Sequence, residues 1–259
     1  MKKTLLAVAL ATTASLGFAQ GAELKVAIDA TYEPFTFKTP DGKPTGFDVD
    51  IANALCDQIK RKCVFVEQAW DAMIPGLLAK KYDVIISSMS ITDERKKQID
   101  FTDKYYNTPS TVVLKKGEKL GNNFAEIKGK KLGVLKSSTQ EKFANGELKK
   151  LGATIVPYEA QDQVYLDIKS GRLDGTVADT VEVTAGFLKK AGGDAYAFAG
   201  PLLDDPKYNK YFGIGAGVAL RKGEDKLKGE LNAAIKAIRG NGTYGKINAK
   251  YFTFDVYGK

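Results

Sequence analysis

The sequence predicts a two-lobed α/β protein, and three observations carry that expectation. Short apolar runs alternate with amphipathic helical stretches, the pattern of parallel βαβ units. A strand that ends in hydroxyls at a helix start occurs twice, in VIISSMSITDERKK and again in KKLGVLKSSTQEKF. Between the two, residues 105–114 are extended and β-branched, which suits a segment crossing from one lobe to another. With 259 residues, 44% hydrophobic and 27% charged, the chain is long enough for a large core and has the size at which chains often divide in two.

The first stretch, MKKTLLAVALATTASLGFAQGAE, has two lysines, an apolar run from Leu5 to Leu10, and Gly17 and Ala19 in a pattern that suits signal peptidase. It reads as a secretory signal spanning 1–19, cut after Ala19, with Ala22 as the alternative. The apolar run is too short, and too broken by Thr12, Thr13 and Ser15, to span a bilayer. No Cys follows it to accept a lipid, and nothing downstream approaches a membrane span. The mature chain is therefore expected free in an extracytoplasmic compartment.

LKVAIDATYEPFTF then gives a strand from Leu24 to Ile28 that ends at Asp29, followed by a loop with Tyr32, Pro34 and Phe35; Asp41-Gly42 marks a tight turn. GFDVDIANALCDQI is an amphipathic helix with Ile51, Leu55 and Ile59 on one face and Asp48 and Asp50 at its N-terminus. CVFVE is the next strand, and AWDAMIPGLLAKKY a second helix with Trp70 near its start. Val84, Ile85 and Ile86 form a buried strand that stops at Ser87, Ser88 and Ser90. Thr92 is a good N-cap for the helix that follows, and Arg95 lies in its first turn, so a guanidinium and free N–H groups point at one spot. That makes a carboxylate site; the plainer alternative is a βα junction with a solvated DERKK face.

The second half restarts the design. KKLGVL ends at Ser137, Ser138 and Thr139, where a helix opens with Gln140 and Glu141 in its first turn. ATIVPY is a strand, QDQVYLDIKSGRL a helix closed by Gly171, and DGTVAD a strand ending at Asp179 before another helix. GPLLDDPKYNKYFGIGAGVAL contains a loop and an apolar strand running back, and two helices at about 224–239 and 243–251 finish the chain. The expected division is one lobe of 23–108 plus 210–259 and another of 109–209, each a mainly parallel sheet flanked by helices, with a ligand cleft between them and hinges near 105–110 and 204–212. Ligands of such sheets bind outside the carboxyl ends of the strands, where Asp29, Trp70 and the three serines fall.

Several function classes are weak. Net charge is +8, or +6 once Lys2 and Lys3 leave with the signal, yet the basic residues are dispersed without an aromatic-interleaved motif, which argues against nucleic acid. The chain has no His, so the commonest general base is missing. Its two cysteines, Cys56 and Cys63, lack partners for a metal site, and no metal or cofactor is expected. If the helix ends near Lys60 they come within disulfide reach, and export favours that pairing; so short a loop contributes roughly 2.5 kcal/mol in the chain-entropy model.

Taken together, the two lobes offer Arg95 and hydroxyls from one side, Thr139 and its helix start from the other, and carboxylates Asp29 and Asp179. An α-amino acid wants a guanidinium and N–H donors for its carboxylate and an acid for its ammonium. The second acid is then left over for a cationic side chain.

At these residues the sequence resembles the periplasmic solute-binding proteins of polar amino acid ABC transporters, specifically the lysine/arginine/ornithine and histidine group. The strings DATYEPF, GFDVDIANALC, AWDAMIPGLLAKKYDVIISSMSITDERKKQIDFTDKYY, GVLKSSTQEKF, GRLDGT, RKGEDKLKGELNAAI, NGTYGKI and YFTFDVYG carry the resemblance over essentially the whole mature chain. It implies the type II periplasmic binding protein fold, a monomer that serves membrane permease subunits of an ABC transporter, and a disulfide from Cys56 to Cys63. It further implies that Arg95 takes the α-carboxylate with Ser90, Thr139 and its neighbours Ser138 and Gln140, and that Asp179 takes the α-ammonium beside Ser88. Asp29, assisted by Ser87, would face the side-chain cation, with Tyr32 and Trp70 sandwiching the aliphatic stem. Position 70, often Phe or Leu in that group, is Trp here as in opine-binding relatives, so an opine is the alternative ligand. A dehydratase on the same scaffold is a further alternative, although no nucleophile and base pair is evident.

Overall fold

In a computed structural model, which describes residues 22–258, the chain builds two five-stranded sheets, each covered by helices. The signal reading falls on residues that lie outside the described ones.

The first sheet begins with β1 (Glu23–Ile28). A hairpin of two two-residue strands, β2 (Phe37–Lys38) and β3 (Pro44–Thr45), leads into α1 (Phe47–Gln58). Gly46 makes that entry possible: at φ 121° it passes so close to Phe35 that a Cβ would lie 2.2 Å from the Phe35 carbonyl oxygen. Asp48 then follows in the first turn with its backbone N–H donated to that same oxygen at 2.9 Å. Phe47, Ile51 and Leu55 recur every four residues and are all buried, which puts one face of α1 on the sheet. The helix stops where Lys60 turns left-handed at φ 55°, and Arg61 N–H donates back to the Cys56 carbonyl at 2.9 Å. The reversal brings Cys63, in β4 (Lys62–Glu67), to a Cα–Cα distance of 5.8 Å from Cys56, and the two form a disulfide.

A 3-10 turn at Trp70–Ala72 opens into α2 (Met73–Leu78), and β5 (Val84–Ile85), α3 (Asp93–Lys96) and β6 (Asp100–Tyr106) follow. The second sheet contains β7 (Ser110–Lys115), β8 (Lys131–Leu135), β9 (Thr154–Tyr158), β10 (Gly175–Asp179) and β11 (Tyr196–Phe198). Its helices are α4 (Thr139–Phe143), α5 (Gln161–Lys169) and α6 (Thr180–Val183), and the first and last of these widen into π-helical turns at Ala144–Leu148 and Thr184–Leu188. After α7 (Asn209–Phe212), the strand β12 (Ala216–Leu220) returns to the first sheet, and α8 (Asp225–Gly240) and α9 (Thr243–Tyr251) pack on it.

Sheet order is β4-β1-β5-β12-β6 in the first lobe and β11-β7-β10-β8-β9 in the second. In each, the βαβ strands pair in parallel, as Val26 does with Phe65 and Val84, while the crossing and returning strands add antiparallel pairs. Gly175 allows β10 to lie against β7, since a Cβ there would meet the Val113 carbonyl oxygen at 2.0 Å. Leu227, Leu231, Ala234, Ile235 and Ile238 give α8 one buried stripe, which joins α1 and α9 in a single core against β1, β5 and β12. The opposite face of the same sheet buries Met73, Leu77, Tyr82 and Ile99. With both faces covered, strands such as Val26-Ala27-Ile28 are continuously apolar instead of alternating. Among the described residues no helix is long and apolar enough to cross a membrane.

Three details differ from the sequence reading. The helix after Thr92 is a single turn, because β6 begins at Asp100, so its dipole is small and the charge of Arg95 carries the site. Trp70 opens a 3-10 turn instead of lying within an α-helix. Strand β11 lies in the short apolar run AYAFA, which the sequence reading did not mark as a strand; its backbone pairs with the edge of β7.

Candidate functional site: a cleft between the two sheets

Each charged group of the site is placed by a strand end or a helix start. Arg95 is the third residue of α3, whose Thr92 cap accepts the Arg95 backbone N–H at 3.3 Å. Arg95 is buried at 5% exposure, yet among the described residues its guanidinium donates a single hydrogen bond, from Nη1 to the Ser90 carbonyl at 3.0 Å. The Trp70 ring covers it, with the guanidinium carbon 5.3 Å from the ring centroid. Among the described residues no carboxylate lies within ion-pair distance, and burial lowers the Arg95 pKa to about 10. A buried cation with most of its five donors unused is a receptor for a carboxylate.

The two acids are arranged differently. Asp179 ends β10 and caps α6, so Oδ1 accepts from the N–H groups of Val181 at 2.8 Å and Glu182 at 3.1 Å. Oδ2 accepts from the Thr108 hydroxyl, and burial pushes the carboxyl up to about 6. Asp29, just past β1, accepts on Oδ1 from the Thr31 hydroxyl at 2.7 Å and the Thr31 N–H at 3.1 Å, and burial raises its pKa as well. Its own N–H donates to the Ser87 hydroxyl oxygen at 2.9 Å, which ties the ends of β1 and β5 together.

On the far wall, Ser138 caps α4 by accepting from the Glu141 N–H at 3.0 Å. The Thr139 hydroxyl donates to Gln140 Oε1 at 3.1 Å, and Gln140 Nε2 donates to the Ser110 hydroxyl at 3.0 Å. The structure thus collects Asp29, Tyr32, Trp70, Ser87, Ser88, Ser90, Arg95, Ser138, Thr139 and Gln140 around one compartment. Asp179 lines an adjoining compartment that shares Tyr32, Ser88, Ser90, Thr139 and Gln140 with the first. That second space runs toward the crossing segments and is walled by Asn107, Thr108, Ser110 and Asp204, residues no sequence motif marks. Among the described residues no group of His, Cys, Asp or Glu could hold a metal ion.

Three ion pairs bridge the cleft rim: Lys136 to Asp71 at 2.9 Å, Lys142 to Glu94 at 2.6 Å and Lys190 to Glu33 at 2.8 Å. In these three the cation lies in 109–209 and the acid in 23–108, whereas Lys210 pairs with Glu147 at 3.0 Å in the opposite sense, from α7. All are partly exposed, so each is worth at most about 1 kcal/mol.

The chain is 50% identical over 260 residues to an L-arginine-binding protein of Pseudomonas aeruginosa, covering 100% of this chain and 99% of that one. It is 44% identical over 262 residues to the lysine/arginine/ornithine-binding periplasmic protein of Escherichia coli K12, with both chains covered completely. Among solved structures, a periplasmic binding protein of Salmonella typhimurium described for its high arginine specificity matches with a TM-score of 0.82 and 33% identity, over 90% of this chain and 100% of that one. The family model for bacterial extracellular solute-binding proteins, family 3, matches residues 24–254, and with that span matched the chain belongs to this family.

Proposed function

We propose that this protein is an extracytoplasmic, periplasmic binding protein that captures a cationic L-amino acid, arginine, ornithine, lysine or histidine, between two closing lobes and delivers it to the permease of an ABC transporter. The observation that carries this reading is one buried guanidinium, Arg95, sharing a cleft with two buried acids, Asp29 and Asp179. One acid neutralises the α-ammonium and the guanidinium takes the α-carboxylate. The remaining acid sets a preference for a cationic side chain. Relatives that bind arginine, lysine and ornithine by name support the choice of ligand.

Capture requires movement, because the groups are divided between lobes. We take residues 23–108 with 210–259 as one lobe and 109–209 as the other, the protein acting as a monomer. Hinges at 105–110 and 204–212 fall where the chain crosses between sheets, after β6 and before β12. No enzymatic step is assigned; the hydroxyl–carboxylate pairs of the cleft, Ser88 with Asp48 and Thr108 with Asp179, are read as ligand-binding groups.

An opine is the second reading, favoured by the space beside Asp179, which leaves room for a substituent on the α-nitrogen. Thermal shift over all proteinogenic amino acids plus ornithine and octopine, followed by calorimetry of the hits, tests both. Stabilisation by the cationic amino acids supports the first reading, and stabilisation by octopine above arginine supports the second. Stabilisation by neither, or turnover of prephenate, contradicts both.

A further inference from the structure

Two of the cleft's serines face opposite ways in hydrogen-bonding terms, and the cause lies behind them. Ser88 follows β5 in a left-handed conformation, φ 55°, which a non-glycine residue adopts only when its surroundings hold it there. Its N–H donates to the Tyr105 hydroxyl at 3.2 Å, and its own hydroxyl donates to Asp48 Oδ2 at 2.9 Å. Both donors of Ser88 are therefore used inside the first lobe. What it presents to the cleft, where it lines both compartments, is lone pairs only. Thr108 likewise donates to Asp179 and lines the same compartment. Ser138 is the reverse case: its oxygen accepts from the Glu141 N–H, so its proton remains to be given. Acceptors thus gather around Asp179, and a donor remains on the wall of the Arg95 compartment.

We propose that Asp48 is a positioning residue for ligand recognition: by taking the Ser88 hydroxyl proton it fixes Ser88 as an acceptor facing the ligand's α-ammonium. An ammonium has donors only, so an acceptor serine complements it and a donor serine opposes it. The proposal rests on the reading of the cleft as an amino acid site. Asp48 has 0% exposure and never meets the ligand itself. Among the described residues its Oδ1 has no hydrogen-bond partner, and the carboxylate is held by the Ser88 hydroxyl and by the Tyr105 hydroxyl behind it.

The arrangement is sensitive to protonation. Burial holds the Asp48 carboxyl up to about 7, and the groups that feel its charge are the tyrosines Tyr32, Tyr105, Tyr106 and Tyr244. A protonated Asp48 can donate to the Ser88 oxygen, which frees the serine proton to point into the cleft. Acid therefore inverts Ser88 as well as neutralising Asp179, while Asp29 and Glu182, also raised by burial, titrate nearby.

A mutant cycle separates this role from general support of the fold. L-Arginine is titrated calorimetrically at about pH 7.5 into wild type, Asp48→Asn, Ser88→Ala and the double variant. Each single change is expected to weaken binding roughly tenfold, the value of one hydrogen bond to a charged group. The double variant should bind no more weakly than Ser88→Ala, because the two act through one bond. Losses that add overturn the proposal. Should Asp48→Asn fail to melt cooperatively, wild type and Ser88→Ala are compared at about pH 6 and about pH 8, with Asp179, Asp29 and Glu182 common to both. The wild-type affinity should then rise more with pH than that of Ser88→Ala, and equal slopes overturn the proposal. A wild type that binds no amino acid removes the reading beneath it, whereas binding with additive losses removes this inference alone.

Discussion

Arg95 and Asp179 occupy corresponding places in the two lobes, each at the first turn of a short helix beside the cleft, yet the chain stabilises their charges by different means. The cation has one carbonyl and an aromatic face; the anion has two backbone N–H groups and a hydroxyl. The difference follows from who caps the helix. Thr92 caps α3, so Arg95 is left free of that duty, whereas Asp179 caps α6 itself. A ligand carboxylate would therefore complete an under-bonded guanidinium, and a ligand ammonium would add to an already anchored carboxylate. On the proposed reading, a ligand would gain binding energy most steeply from the first lobe, while the second would set its geometry.

The largest effect that could break this comparison is at the cation. Arg95→Ala should abolish binding of every amino acid ligand, with a loss on the order of 3 to 5 kcal/mol for a buried charge deprived of its partner. Its melting temperature should change little, since among the described residues the side chain makes one hydrogen bond. Wild-type affinity in a calorimetric titration would remove Arg95 from the site.

Acidity gives the next effect, and its two signs sharpen the contrast. Asp179 must be ionised to hold an ammonium, so affinity should fall as pH drops through about 6. Stability of the unliganded protein runs the other way. Asp48 and Asp179 have folded pKa values raised to about 7 and about 6, so the folded state binds more protons than the unfolded one between roughly pH 4 and pH 7. The contribution of these two groups is fully present below about pH 4 and is lost as pH rises through that window. Dissociation constants and melting temperatures measured in one pH series check both, and a dissociation constant that is flat from about pH 5 to about pH 8 contradicts the role given to Asp179.

The smallest effect is at the rim. Replacing Glu33, Asp71 and Glu94 by their amides removes three exposed pairs, each worth at most about 1 kcal/mol. Arginine affinity should drop only a few-fold and lose part of its salt dependence. A loss as large as that of Arg95→Ala would mean that the rim, and not the buried groups, holds the lobes together.

Much of this was legible in the chain. Short apolar runs mark β1 and the hydroxyl-ended strands because both faces of their sheets are covered, a 3.6-residue period marks α1 and α8 because burial makes apolar residues recur on one face, and the Cys56–Cys63 spacing follows from a helix that ends near Lys60. Asp29, Arg95 and Asp179 could be singled out because they converge at the carboxyl ends of strands, where ligands of such sheets bind. Asp48 was hidden because an acid in a helix first turn already has an ordinary explanation. Its burial depends on Gly46 bringing α1 against Phe35, a contact no local pattern records. Thr108, Ser110 and Asp204 were hidden because they line the cleft only through the crossing between sheets. Strand β11, in the short run AYAFA, pairs with an edge it meets late.

The central claim is that two buried acids in one cleft do different work, Asp179 reading the backbone of any amino acid and Asp29 reading a cationic side chain. A carboxylate about 4 Å from a cation interacts at roughly 4 kcal/mol for an effective dielectric near 20, while the protein's net charge acts over distances that salt screens within about 8 Å. The local acid should therefore outweigh a positively charged protein. The direct measurement is calorimetric titration of Asp29→Asn with L-arginine and with L-glutamine, beside wild type and Asp179→Asn. Asp29→Asn should lose far more affinity for arginine than for glutamine, and Asp179→Asn should lose both alike. Equal proportional losses of arginine and glutamine in Asp29→Asn would contradict the claim.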